Sequence, residues 1–376
     1  MLKINLDTYL SSQTLLLIFD VLLNEESIKL SVTKESLLKD IGINPSSFRR
    51  SRVEEKNIGN DIAVKLAKYF NLKIVNEKIL CDLAKLIEEI YHDINYKVFE
   101  KFDFYTKKIE WYLSKNLVIF PVVKLLKLFI EAFSLQRIEE MIEMNNKLFI
   151  EISSYKVSFN DSLMNIYNIL KLIFSKELTN EMLSKKYNNG ICYSIIASRH
   201  RINKRYFESL YFAQKAKEMF VLENNLKRIL YINFTILNDL SLTDNYEEYY
   251  YLTRQQLLTI RSFGSNTIEY ESIEKHLIVS SLALKMYDQV IEIVEKNKEK
   301  TITDFSALVV AKYNVLGEKF DLWYDEEIKT TEGIEEYLPL LKTLIEFLKT
   351  SDKKLFALLE ENKNFMSSFL NILKKT

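Results

Sequence analysis

The chain has 376 residues, which exceeds one small domain and suits two or three packed units. Only 6 glycines and 3 prolines occur in it, which excludes turn-rich sheets and glycine-rich phosphate loops, and 48 % apolar residues exclude a disordered chain. A formal net charge of zero excludes a polycation, so any nucleic-acid contact must come from a local patch.

The N-terminal stretch MLKINLDTYLSSQTLLLIFDVLLNEE holds an apolar run that Asp20 interrupts. No cleavage site follows and the run is too short to span a bilayer, so it reads as a buried first helix, roughly Leu10 to Leu23. No membrane association is expected. Cys81 and Cys192 lie too far apart for a metal motif, and a reducing cytoplasm is the expected compartment.

Residues 31–72 carry a dense set of helix signals. Thr33 is a natural N-cap, and Leu37, Leu38 and Ile41 are expected to face inward. Gly42 stops that helix as a C′ glycine does, and Ile43 plugs the turn. Asn44 can cap the next helix, with Pro45 at its first position, where a missing N–H costs nothing. Ser46 to Arg52 form that short helix. A loop with Asn57 and Gly59 follows, and Asn60 or Asp61 opens a helix with Ile62, Val64, Leu66, Ala67 and Phe70 as its apolar positions.

This order of helix, Gly-Ile-Asn turn, short polar helix, loop and closing helix resembles the helix-turn-helix of the phage-repressor (Xre-like) class. The resemblance implies a DNA-binding domain over residues 1–74. Arg49, Arg50 and Arg52 form the densest basic cluster in the chain. In such a domain the second helix enters the major groove by its N-terminal end. Base contact is therefore expected from Ser46, Ser47 and Arg50, and phosphate contact from Lys34, Arg49, Arg52 and Lys56. One head makes few phosphate contacts, so a homodimer reading two half-sites on double-stranded DNA is expected.

Residues 75–376 read as helix after helix. Tyr206, Tyr246, Tyr287 and Phe320 each follow a polar turn and open an amphipathic helix, at spacings of 40, 41 and 33 residues. That is the period of tetratricopeptide-type hairpins. Earlier hairpins are expected around Tyr96–Leu113, Pro121–Phe149 and Asn160–Lys186. The fold class expected is thus all-α: a helix-turn-helix domain followed by a tetratricopeptide-like right-handed superhelix of helical hairpins. Setting the four aromatics equivalent places Ser198, Arg201, Tyr231, Phe234, Asn238, Lys275 and Lys312 on the concave side, with Asn233 and Asn314 close by. An asparagine amide offers a donor and an acceptor that match the main chain of an extended peptide.

His92, His200 and His276 lie far apart and in no metal motif, and read as surface or inter-helix residues. No nucleophile elbow, Walker loop or dinucleotide fingerprint occurs, so no enzyme activity, metal or cofactor is expected.

The combination of head and superhelix resembles the peptide-pheromone receptors of low-GC Gram-positive bacteria, the RRNPP family. Ala311-Lys312-Tyr313-Asn314-Val315-Leu316-Gly317 is similar to the Tyr-Asn-Leu-Gly helix often seen in that family's repeats. The resemblance implies a quorum-sensing transcriptional regulator. A short signalling peptide would lie in the concave groove, with Asn233, Asn238 and Asn314 on its main chain, and its binding would reposition the DNA-binding heads. The alternative is a scaffold or protein-inhibitor module that acts by protein contact without DNA.

Overall fold

The computed structural model describes residues 12–53, 59–134, 138–175, 189–262, 268–297, 300–331, 334–362, 365 and 367–375. Almost all of these are helical. In chain order the α-helices are α1 (Ser12–Leu30), α2 (Lys34–Asp40), α3 (Pro45–Val53), α4 (Asn60–Tyr69), α5 (Glu77–Asn95), α6 (Phe102–Leu113), α7 (Phe120–Ser134), α8 (Ile138–Ser154), α9 (Asp161–Phe174) and α10 (Gly190–Ile202). They continue with α11 (Tyr206–Leu222), α12 (Leu226–Leu242), α13 (Tyr246–Ser262), α14 (Ile268–Ala283), α15 (Tyr287–Lys296), α16 (Ile302–Leu316), α17 (Phe320–Trp323), α18 (Leu338–Thr350), α19 (Lys353–Glu360) and α20 (Ser367–Leu373). An isolated parallel bridge, Lys73 to Leu117, is the β-pairing among the described residues.

So many helices need many stops, and glycine is scarce. The chain ends helices with other residues in the left-handed conformation: Ser31, Asn71, Lys97, Lys204, Asn224, Asp244 and Lys285 all have φ between 52° and 65°. At Lys204 the amide donates to Arg201 O and the next amide, of Arg205, reaches back to His200 O. The same pair of bonds recurs at Lys285, from its own amide to Leu282 O and from Met286 to Ser281 O. These bonds satisfy carbonyls that the helix end leaves open, which offsets the steric cost of a side chain at positive φ.

Cα packing divides the chain into two compact units, Met1–Ile196 with Glu218–Arg228, and Ala197–Lys217 with Ile229–Thr376. In the first unit, α1 packs on α2, α3 and α4. Leu16, Ile18, Phe19 and Leu23 of α1 meet a core of Leu37, Leu38, Ile43, Phe48, Leu66 and Ala67, all buried. Helix α1 runs on past the expected Leu23 to Leu30. The Thr33 hydroxyl accepts from Ser36 N at 3.1 Å and the Asn44 side chain from Ser46 N at 2.9 Å, so both expected caps form. Gly42 has φ +73°, and Ile43 plugs the turn at 4 % exposure. Val64 is a correction: it is 56 % exposed, because the inward stripe of α4 runs through Ala63, Leu66 and Ala67.

The rest of this unit gathers around α7, which contacts α5, α6, α8 and α9. Its sequence FPVVKLLKLFIEAFS is apolar nearly all round, and Val122, Leu125, Leu126, Leu128 and Phe129 are wholly buried. A helix of that kind needs partners on every side. The hairpin expected at Pro121–Phe149 corresponds to α7 and α8. The one expected at Tyr96–Leu113 does not form; Tyr96 is the C-cap of α5 and α6 fills the remainder. Of the hairpin expected at Asn160–Lys186, α9 is seen and 176–188 lie outside the described residues.

The first 74 residues are tied to later segments of the same unit. Lys73 N donates to Asn116 O at 2.8 Å, Val118 N donates to Lys73 O at 3.0 Å, and the Tyr155 hydroxyl donates to Glu25 at 3.1 Å. The C-terminus of α5 is held by Arg228, whose Nε donates to Asn95 O at 2.9 Å and Nη2 to Ile94 O at 2.5 Å. A cation there meets the negative end of the helix dipole.

In the second unit, Tyr206, Tyr246, Tyr287 and Phe320 each open a helix, as their spacing predicts. Helices α13 and α14 pack as a pair, as do α15 and α16, and α14 also contacts α15, α16 and α20. Every residue of α16 from Ile302 to Ala311 is buried. The Tyr249–Tyr251 run splits as three consecutive helical positions must: Tyr249 is fully buried, Tyr250 half-buried, Tyr251 63 % exposed. Among the described residues no helix is long and apolar enough to cross a membrane.

Candidate functional site

The expected DNA-contact residues sit on α2 and α3 and part into two groups. Phe48, 2 % exposed, anchors α3 to the core. Ser46 and Arg50 lie on the opposite side, Ser47 and Arg49 flank Phe48, and all four are exposed. Arg52 and Lys34 behave differently. The Lys34 ammonium bonds the Asp20 carboxylate and also reaches Asn24 Oδ1 at 3.1 Å, while Arg52 Nη1 lies 3.2 Å from the other Asp20 oxygen. Asp20 is 5 % exposed, so one buried carboxylate from α1 clamps the start of α2 to the end of α3. Lys34 further sits 5.8 Å from the Phe48 ring centroid. These two cations are thus already partnered, and the outward charge of α3 comes from Arg49 and Arg50. Lys56 lies outside the described residues.

The expected peptide-contact residues all belong to the second unit, and α12 carries four of them. Tyr231 is 36 % exposed, and Phe234 and Asn238 are half-buried. Asn233 is 6 % exposed and turned inward, with Oδ1 unpartnered among the described residues. The Asn238 amide donates to Phe234 O at 2.8 Å, so its oxygen and its second N–H remain to recognise a ligand. Phe234 lies 6.1 Å from the His276 ring on α14, beside half-buried Lys275.

Arg201 at the end of α10 reaches into this region. Its Nε is 3.7 Å from Asp239 Oδ1, and Ser209 Oγ of α11 donates to Asp239 Oδ2 at 2.5 Å. Asp239 is fully buried, and burial pushes its carboxyl up to about 6, against the pull of Ser209 and Arg201. His276 is 4 % exposed, with Nδ1 2.7 Å from the Tyr249 hydroxyl. Burial, aided by the nearby Arg201 charge, pushes the imidazole down to about 3, so it is neutral at pH 7. Gln256 of α13 donates to Leu230 O at 3.0 Å and leaves Oε1 buried without a partner among the described residues. The interior of α10–α14 is therefore polar in a way a simple helical core is not, with acceptor oxygens left over.

Lys312 is engaged elsewhere, whereas Asn314 makes the same bond to its own helix as Asn238 does. Lys312 bonds Glu295 at 2.9 Å and lies 5.6 Å from the Trp323 ring centroid. Asn314 is exposed and donates to Val310 O of its own helix at 2.8 Å. A cleft of about 490 Å³ between Tyr324–Ile328 and α18 is lined by Asp321, Asp325, Lys329, Lys342 and Lys349 among others, and by none of the expected peptide residues. Among the described residues no group of three His, Cys, Asp or Glu side chains could hold a metal ion.

Asp20, Asp239, Ser209 and Gln256 are not among the expected site residues. Asp20 had a signal, a lone acid inside an apolar helix ahead of a basic segment. Asp239 and Ser209 sit 30 residues apart on different helices, and nothing local marks them as partners. No protein-family model, curated protein or solved structure matches this chain.

Proposed function

We propose that the chain is a DNA-binding transcriptional regulator whose second unit takes a short peptide and whose homodimer reads two half-sites in the cytoplasm. The observation that carries the reading is the α2–Gly42–α3 segment. Its short second helix is anchored by one buried aromatic and turns Ser46 and Ser47 to solvent in its first turn, with Arg49 and Arg50 following them on the exposed surface. A helix so mounted can enter the major groove, with Arg50 forked onto a guanine and Ser46, Ser47 and Arg49 on phosphates and base edges.

The peptide proposal rests on Arg201, Tyr231, Phe234, Asn238 and Lys275. They combine exposed aromatic surface, cationic charge and an amide with free hydrogen-bonding capacity, next to an interior that leaves acceptors unmet. A ligand that ordered this region in one arrangement would shift the protein between states by its differential affinity.

A scaffold that acts by protein contact has one observation in its favour: the Lys73–Leu117 bridge and the Glu25–Tyr155 bond fix the N-terminal helices to their neighbours. Gel-shift titration with the region upstream of the chain's own gene separates the two readings. The regulator gives salt-sensitive retardation that Arg50→Ala weakens by about tenfold or more. Absence of salt-sensitive binding to any duplex refutes it.

A further inference from the structure

Helix α6 and its flanking residues present a stripe that neither the head nor the peptide region uses. Phe102, Tyr105, Ile109 and Tyr112 bury one side of α6. On the other side Phe104 is 57 % and Trp111 50 % exposed. At about 100° per residue, Phe104, Lys107, Lys108 and Trp111 fall within an arc of roughly 100°, and Lys101 and Lys115 flank the two ends of the helix. The acids of the helix, Asp103 and Glu110, fall to one side of that arc.

The aromatics and lysines are interlocked. The Lys108 ammonium lies 5.8 Å from the Phe104 ring centroid and the Lys115 ammonium 5.1 Å from that of Trp111. Lys101 is 4.0 Å from Asp93, whereas Lys107, Lys108 and Lys115 pair with no carboxylate among the described residues. The Lys73–Leu117 bridge brings a further exposed lysine, Lys73, to the end of the same helix. In a chain whose net charge is zero, this concentration of lysines on one face is a local positive patch, with the exposed Glu100 beside Lys101 at its N-terminal edge.

We infer that this stripe binds an unpaired nucleic-acid strand. Phe104 and Trp111 are about 10 Å apart along the helix axis, so a base stacked on each leaves intervening phosphates over Lys107 and Lys108. A duplex would use the lysines and leave the rings idle, because its bases are stacked on one another. An anionic bilayer is a plane and would also face Asp103 and Glu110. A single strand is narrow enough to follow the arc. This site is independent of α3.

The test uses the full-length chain carrying Trp323→Phe, which leaves Trp111 as its single tryptophan, and a labelled oligothymidylate of about 20 nucleotides. The strand is expected to quench Trp111. In the Trp323→Phe background, Phe104→Ala lowers affinity by about fivefold or more. Lys107→Gln and Lys108→Gln each flatten the slope of log affinity against log salt by about 0.7. None of these side chains is buried, and far-UV circular dichroism checks that the variants fold. Arg50→Ala leaves oligothymidylate binding unchanged, so failure at α3 and failure at α6 are seen separately. The inference falls if the oligonucleotide does not bind, if Phe104→Ala binds it like the parent, or if Trp111 responds only to phosphatidylserine vesicles.

Discussion

The Arg52 guanidinium lies 3.2 Å from the buried carboxylate of Asp20, on the opposite side from the Lys34 ammonium. One acid thus fixes the orientation of α3 on α1, and the geometry of the outward arginines depends on a residue that touches no ligand. Asp20→Asn keeps the shape and removes the charge. It should lower the unfolding free energy by about 1–3 kcal/mol, since charge-assisted bonds from a buried group are lost. Arg52→Ala should cost less than about 1 kcal/mol, because its side chain is 54 % exposed and water screens the pair. Urea denaturation decides; equal losses for the two would mean that Asp20 is not the clamp.

The polar interior of the second unit has a pH signature. The Asp239 carboxyl is raised to about 6 from an unfolded value near 3.9, so the folded chain holds the proton more tightly. Its contribution to stability is present in full below about pH 4 and is lost as pH rises through about 6. His276 runs the other way. Its imidazole is pushed down to about 3, so stability is retained above about pH 6.5 and lost as pH falls below it. Asp239→Asn keeps an acceptor for Ser209 and removes the first effect. It should raise Tm at pH 8 by several degrees, change little at pH 4, and leave the histidine's acid-side loss exposed as a steady fall. A variant no more stable than wild type at pH 8 contradicts this assignment.

Gly190, at the start of α10, faces the Phe220 ring of α11 so closely that an added Cβ would overlap it. Phe220 is 1 % exposed, so its ring is not at the surface where it could swing into solvent. Gly190→Ala should destabilise by about 1–3 kcal/mol, an overpacking cost. Phe220→Leu in the same chain should recover part of it. Thermal melts of the single and double variants measure the coupling, and simple additivity would argue against the close approach.

Lys285 sits at φ 57° between α14 and α15, exposed and without a helical role for its side chain. Glycine adopts that conformation without strain, and its greater freedom in the unfolded chain takes back part of the gain. Lys285→Gly should therefore stabilise by about 0.5–1 kcal/mol, whereas Lys285→Val, β-branched at positive φ, should destabilise. A rise in Tm for the valine variant would show that the turn is not held left-handed.

The helical character and most helix starts were readable in the sequence, because caps and turns are local. Thr33, Gly42, Asn44 and Pro45 each act within four residues of themselves, and the structure has helix boundaries where they imply them. Tyr206, Tyr246 and Tyr287 open helices for the same reason: each follows a left-handed residue two positions earlier. Val64 misled because periodicity counts an apolar residue without knowing which face a partner covers. The hairpin expected at Tyr96–Leu113 misled because the local pattern does not show that α5 runs on to Asn95 and that α6 packs as a single helix on α7.

By itself the sequence determined that this is a chain of helices, where many of them start and stop, and which short helix carries exposed arginines. Those are consequences of backbone geometry and of side chains acting within one or two turns. Only the tertiary structure decided that Asp20 occupies Lys34 and Arg52, that Asp239 receives Ser209 and faces Arg201, and that Lys312 is turned to Glu295. Burial and charge pairing depend on which distant helices meet, and a buried acid selects its cations by desolvation in three dimensions rather than by position along the chain.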